Sequence, residues 1–273
     1  MLFFFKKLPS SKVPVKQSNI LLMTATITPR AGVPNLARTD PKVRLQDYEN
    51  ALKFYLPLLN QGVDSIVFAE NSNSDVSSLR NITAEYGVTD RVEFVVFDGL
   101  DYPPSYDRGY GEFKLVDYTM HHSEFINYGQ NEQGEIIVWK VTGRYMVGNL
   151  ARIIARKPSS FDLYCNFRNF PKHWTDMYLL AWTLRGYQAC LNNVYHKLKL
   201  NVPEVPQGVA AEELLRNLLT QTPENIKLVR RFNVTPKIYG TRGADNKGYS
   251  TDYLWKFYYV RNTIRLLFPW VWI

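Results

Sequence analysis

Asp64-Ser-Ile-Val-Phe-Ala-Glu-Asn-Ser-Asn-Ser-Asp75 holds a strand, its exit and the entrance to a helix in one short stretch. The apolar run from Asp64 to Ala69 is too short for a helix and rich in strand formers. Glu70-Asn71-Ser72 ends it, and a helix predicted from about Asp75 to Tyr86 stops at Gly87. Upstream, Asn19 to Ile27 alternates and breaks at Thr28-Pro29, as a first strand would. Ala31 to Thr39 is a loop. Asp40-Pro41 then supplies an N-cap and a proline at the first helical position. The helix it opens carries apolar residues at Leu45, Tyr48, Leu52, Tyr55, Leu56 and Leu59. Downstream, Val92 to Phe97 is a third strand, ending in Asp98-Gly99. Strand, helix, strand, helix, strand predicts an α/β fold with a mostly parallel, Rossmann-like sheet flanked by helices. Ligands of such sheets bind beyond the carboxyl ends of the strands. Thr24 to Thr28, Glu70 to Ser72 and Asp98 fall near there, with Thr24, Thr26, Glu70, Asn71 and Ser72 as candidate contacts.

The remainder extends this plan. Arg108-Gly-Tyr-Gly-Glu112 opens a predicted helix to about His122. A fourth strand reads Ile136-Ile-Val-Trp-Lys-Val-Thr-Gly-Arg-Tyr145, and a fifth spans Phe161 to Phe167. Pro171 to Thr175 leads into a long helix predicted from Asp176 to about Lys199. Past a Pro-flanked linker at Val202 to Gln207, helices are expected at Ala210 to Thr220 and Pro223 to Arg231. A Gly-rich basic loop from Tyr239 to Tyr249 and an aromatic tail from Tyr253 to Ile273 complete the chain. The expected organisation is a mobile arm (1–17), a nucleotide-binding domain (18–200) and a helical C-terminal region (201–273).

Composition narrows the partners. The 273 residues carry a formal charge of +8, with 45% hydrophobic and 14% aromatic residues. A basic protein of this kind suits nucleic acid, an anionic membrane face or phosphorylated small molecules. No zinc-finger spacing, RNP-like run or long basic stripe is visible, so nucleic acid is not expected. Cys165 and Cys190 lie in apolar segments, as buried thiols of a reducing cytosol would. No apolar run reaches the ~20 residues that span a bilayer. The expectation is a cytoplasmic protein. Trp255, Tyr258, Tyr259, Leu266, Phe268, Trp270 and Trp272, interleaved with Lys256, Arg261 and Arg265, suit peripheral contact with a membrane face, or a helix packed on the core.

Several groups could carry chemistry, each with an ordinary alternative. Lys140, Arg144 and the hydroxyls of Thr142 and Tyr145 leave one strand together, which suits a diphosphate or a solvated turn. Glu70-Asn71-Ser72 could hold a nucleoside or punctuate the strand. Arg108, Gly109 and Gly111 could seat an anion at a helix entrance or form a turn. Asp176 could take a proton from a hydroxyl or favour a helix dipole. Arg230, Arg231, Lys237, Arg242 and Lys247 could clamp phosphates or form a solvated face. The four histidines show no metal spacing.

Taken in order, Thr24-Ala-Thr-Ile27, Glu70-Asn71-Ser72, Gly109-Tyr-Gly-Glu112, Lys140-Val-Thr-Gly-Arg-Tyr145 and Trp174-Thr-Asp176 before Arg185 resemble small bacterial glycosyltransferases of capsule and O-antigen loci, with a GT-A-like fold. The likeness runs over Asn19 to Tyr195. It implies transfer of a sugar from a nucleotide-sugar donor, UDP-linked, to a glycan or lipid-linked glycan at the inner membrane face. Asp176 would be the base of an inverting reaction, and Tyr145 and Trp174 would touch the acceptor. The Asp-x-Asp of such enzymes is missing, so no metal cofactor is expected and Lys140 with Arg144 would take its place. A non-catalytic glycan- or partner-binding module is the rival. A methyltransferase is disfavoured because the first strand lacks a Gly-x-Gly turn.

Overall fold

The computed structural model describes residues 17–131, 135–170, 172–248, 254–268 and 270–273. The expected N-terminal arm lies almost wholly outside them. The strands are β1 (Gln17–Ala25), β2 (Ser65–Glu70), β3 (Val92–Val96), β4 (Glu135–Thr142), β5 (Met146–Val147), β6 (Leu163–Tyr164), β7 (Phe167–Arg168), β8 (Trp174–Thr175), β9 (Leu179–Thr183), β10 (Leu228–Val229) and β11 (Ile238–Tyr239). The helices are α1 (Pro41–Tyr55), α2 (Ser77–Glu85), α3 (Asp107–His122), α4 (Glu124–Asn131), α5 (Leu150–Ala155), α6 (Leu184–Gly186), α7 (Ala211–Thr220) and α8 (Leu254–Leu267).

One sheet of seven strands organises these elements, in the order β10-β6-β9-β4-β1-β2-β3. β3, β2, β1 and β4 run parallel, and β9 runs against both β4 and β6. The fold is therefore the mostly parallel, Rossmann-like α/β sheet that the N-terminal pattern predicts. Alternation within each strand divides two cores. Leu21, Met23, Phe68 and Trp139 face α1 and α2, while Ile20, Leu22, Val67 and Val138 face α3 and α7. Burying one such large apolar side chain stabilises the fold by about 1.5–3 kcal/mol. The entrance to α1 follows its sequence signal: the Asp40 carboxylate accepts from the Lys42 amide at 2.8 Å, and Pro41 opens the helix.

Two expectations fail in the second half. The long helix after Asp176 does not form. Leu179–Thr183 is a wholly buried strand instead, inserted between β4 and β6, and only short helical turns follow it. A short apolar run fits either element, and pairing on both sides decided for the strand. The helix expected from Pro223 to Arg231 also gives way, to β10, which pairs with β6 at the sheet edge. Residues beyond 200 therefore complete the sheet as well as contributing α7 and α8. The fifth strand splits into β6 and β7.

Candidate functional site

The sheet order reverses between β1 and β4, and two chambers open at that point. The smaller, about 100 Å³, lies over Thr24, Thr26, Arg30, Arg44 and Tyr102. The larger, about 460 Å³, is bounded by Tyr145, Trp174, Asp176, Tyr178, Glu212 and residues of the basic loop. Arg108, Glu112, Thr142 and Arg144 belong to both walls.

Arg144 is the least satisfied group in this partition. It is 7% exposed, and its Nε and Nη1 have no hydrogen-bond partner among the described residues. Its guanidinium lies 5.2 Å from the centre of the Tyr145 ring. The basic loop closes on it: a Cβ added at Gly243 would fall 2.4 Å from Arg144 Nη2, and the Gly243 carbonyl accepts from the Ala37 and Arg38 amides at 2.9 and 3.1 Å. Unpaired N–H groups on a buried cation are costly, and an anion would relieve that cost.

Lys140 behaves differently, and the expectation that it contacts a diphosphate is corrected. Its parity along β4 matches Ile136 and Val138, which points it at α3 rather than into either chamber. It is fully buried, pairs with Glu112 at 2.5 Å and donates to the Met177 carbonyl. Glu112 Oε1 also accepts from Thr24 Oγ1 at 3.0 Å and Thr142 Oγ1 at 2.8 Å. Burial alone would raise the Glu112 pKa, but the Lys140 ammonium and these hydroxyls hold it below the usual glutamate range. Burial pulls Lys140 below the usual lysine range against the pull of Glu112.

Glu70, Asn71 and Ser72 are likewise corrected as nucleoside contacts. None of them lines either chamber. Glu70 is fully buried and accepts from the amides of Ile27, Ser72 and Ser74 at 2.9–3.1 Å and from the Ser72 hydroxyl. Asn71 accepts from Thr26 Oγ1 at 2.6 Å, and Ser72 Oγ accepts from the Thr28 amide at 2.9 Å. The triplet fastens two strand exits to each other. Gly109 and Gly111 are present for close packing: an added Cβ would lie 2.3 Å from Ala211 Cβ at Gly109 and 1.9 Å from the Tyr102 hydroxyl at Gly111. Arg108, beside them, is exposed and pairs with Asp107 at 3.3 Å.

Asp176 sits on a β8-to-β9 connection, not at a helix entrance. Its Oδ2 accepts from Asn166 Nδ2 at 2.7 Å, Arg168 Nε and Nη2 at 3.0 and 2.8 Å, and the Tyr178 hydroxyl at 2.9 Å. Those bonds fix the carboxylate's orientation, and Oδ1 takes none of them. Trp174 lies beside it, with a buried indole N–H that has no hydrogen-bond partner among the described residues. Arg168, Tyr178 and Glu212 are wall residues that sequence reasoning missed. Arg168 lies in a two-residue strand, and no spacing ties it to Asp176. Glu212 occupies the first turn of α7, where an acidic residue reads as dipole chemistry. Burial, with Glu112 and Asp107 nearby, pushes its pKa above the usual range. Among the described residues, no three His, Cys, Asp or Glu side chains converge as a ligand set for a metal ion. No helix among them is long and apolar enough to cross a membrane.

No protein-family model and no curated protein match the chain. Among solved structures it is similar to a protein assigned as a nucleotide-diphospho-sugar transferase from Desulfovibrio desulfuricans G20, at 8% identity, with 92% of this chain and 97% of that one covered and a TM-score of 0.43. It is also similar to the inositol-1-phosphate CTP transferase of T. maritima, at 13% identity, the same coverages and a TM-score of 0.43. A third is a 4-diphosphocytidyl-2C-methyl-D-erythritol synthase, at 11% identity, covering 80% of this chain and 90% of that one, with a TM-score of 0.37. Likenesses this faint carry no functional argument.

Proposed function

We propose that the chain is a glycosyltransferase that moves a sugar from a nucleotide-sugar donor, UDP-linked, to a glycan acceptor of surface polysaccharide synthesis. The observation that carries this reading is Arg144: a buried guanidinium in the wall common to two chambers, with two N–H groups unmatched. The nucleoside occupies the smaller chamber against Thr24, Thr26 and Tyr102. The diphosphate reaches Arg144 and Arg108, and the sugar projects into the larger chamber. Positive charge fixed at that junction stabilises the departing nucleoside diphosphate. Lys140 acts at one remove, by holding Glu112 ionised beside the junction.

In the larger chamber, Trp174 donates its free indole N–H to the acceptor. Oδ1 of Asp176 takes the proton of the attacking hydroxyl, on the face opposite the leaving diphosphate, so the anomeric configuration inverts. Glu212 is a second choice of proton acceptor. Burial, with Glu112 and Asp107 nearby, raises its pKa above the usual glutamate range, which favours it as a proton acceptor. Exposed Leu266, Leu267, Phe268 and Trp270 support a tail that rests on the cytoplasmic membrane face.

Thermal unfolding in the presence of nucleotides and nucleotide sugars tests the donor half, with and without chelator. A ligand at 100 times its Kd stabilises the fold by about 2.7 kcal/mol, and Arg144→Gln should remove that shift. Stabilisation by no nucleotide or nucleotide sugar would refute the donor reading. Asp176→Asn should abolish turnover with donor binding intact. Full turnover in Asp176→Asn, with loss in Glu212→Gln, moves the proton transfer to Glu212.

A further inference from the structure

Glu112 belongs to the walls of both chambers, and the reading above gives it no contact with a ligand. Its place is fixed by close packing. It lies in the second turn of α3, where Gly109 meets Ala211 and Gly111 meets Tyr102 with no room for a side chain at either glycine. One carboxylate oxygen does all of the anchoring. Oε1 accepts from Lys140 Nζ at 2.5 Å, Thr142 Oγ1 at 2.8 Å and Thr24 Oγ1 at 3.0 Å, which ties α3 to β4 and β1. Oε2 accepts no hydrogen bond among the described residues. The Glu112 side chain is 20% exposed while Lys140 beneath it is wholly buried, so the exposed part of the carboxylate faces the chambers.

We propose that Glu112 is a specificity-determining residue whose free oxygen accepts a hydrogen bond from a ligand hydroxyl adjoining the diphosphate. The inference rests on, and deepens, the donor half of the reading above. Three observations support it. An ionised carboxylate has only acceptors to offer, and the Lys140 ammonium with the two threonine hydroxyls keeps Glu112 ionised. A negative acceptor repels phosphate oxygens, so the group that meets Oε2 must bring a donor hydrogen of its own. Arg144, in the same partition, presents the complement: Nε and Nη1 have no acceptor among the described residues. The close approach of Gly243 and the Tyr145 ring sets its place, and it makes no hydrogen bond to Glu112. Donors for an anion and an acceptor for a hydroxyl thus share one wall, the pattern that fits a phosphate ester of a polyol. Two groups of a nucleotide sugar share this chemistry: the ribose, on the side of the smaller chamber, and the transferred sugar, on the side of the larger.

Calorimetry with three probes tests this: pyrophosphate, which has no sugar hydroxyl, UDP and UDP-glucose. Glu112→Gln keeps an amide oxygen for Lys140 and the threonines and turns the free side from acceptor to donor. It should leave pyrophosphate binding unchanged or tighter, because a negative charge is gone. It should weaken a hydroxyl-bearing probe about tenfold or more, the loss of a charge-assisted contact. Weaker binding of both UDP and UDP-glucose assigns the ribose; weaker binding of UDP-glucose alone assigns the transferred sugar. Unchanged affinity for UDP and UDP-glucose overturns the proposal, and so does equal weakening of all three probes, which is what a purely structural role gives. Where Glu112→Gln does not fold for want of a partner for Lys140, Glu112→Gln combined with Lys140→Met removes both charges and is judged by the same selectivity. Either overturning result leaves the donor reading standing. Wild-type protein that binds neither UDP nor UDP-glucose would instead refute that reading, and the role of Glu112 with it.

Discussion

The exits of β2 and β4 flank the exit of β1, and each buries charge. At β2, the Glu70 carboxylate is surrounded by donors from three backbone amides and a hydroxyl. At β4, Arg144 is nearly as deep, yet two of its nitrogens face no acceptor. Burial is common to both, so burial does not separate a structural charge from one waiting for a ligand; satisfaction of its hydrogen bonds does. The same division runs within one turn of chain, between Lys140, which is fully engaged, and Arg144, which is not.

Substituting methionine at each of those two cations is the sharpest way to break this contrast. Lys140→Met strands the Glu112 charge and should lower stability by about 3–5 kcal/mol, read by urea unfolding. Arg144→Met removes two buried N–H groups that have no partner, along with the contact to Tyr145, and should change the stability of the free protein by no more than about 1 kcal/mol. The same change should cut transfer by about 10²–10³-fold, as loss of an oxyanion donor does. If Arg144→Met destabilises as Lys140→Met does, the two cations are not different in kind. Glu70→Gln exchanges an acceptor for a donor at a saturated site. It should cost about 1–3 kcal/mol of stability and leave nucleotide affinity untouched; a loss of affinity would restore Glu70 to the binding site.

Acid sharpens the comparison further. The folded-state pKa of Glu112 lies below the ordinary glutamate value of 4.5, so its pairing stabilises the fold above that pH. That contribution is lost as pH falls from 4.5 through the folded value. Glu212 has the opposite sign: its raised pKa means that stability falls as pH rises above 4.5 toward the folded value. Glu212→Gln should therefore be relatively more stable than wild type at neutral pH, while Glu112→Gln should flatten the acid limb. The smallest effect is expected from Gly243→Ala, whose methyl would press on Arg144. It should weaken nucleotide binding by a few-fold and stability by less than about 1 kcal/mol.

The first half of the fold was legible because its signals are local. Alternation in β1, the Asp40-Pro41 start of α1 and the Gly87 stop are each read within a few residues. β9 was not legible: Leu179-Leu-Ala-Trp-Thr183 has no period that separates strand from helix, and its partners lie some forty residues upstream and twenty upstream respectively, at β4 and β6. In the site, Arg144, Tyr145, Trp174 and Asp176, singled out from sequence, line the larger chamber. Lys140 and Glu70 were misassigned because sequence shows that a charge follows a strand, but not which neighbour has already taken it. Arg168 and Glu212 escaped because their importance comes from partners that only folding brings near.

Arg144 belongs to two compartments at once, and that has a thermodynamic consequence. Whatever occupies its free N–H groups from one side changes the potential felt from the other. Linkage then requires that the donor alter acceptor affinity by the same factor as the acceptor alters donor affinity. On the proposed reading, a nucleoside diphosphate left behind after transfer would thus be felt by the next acceptor through one shared side chain.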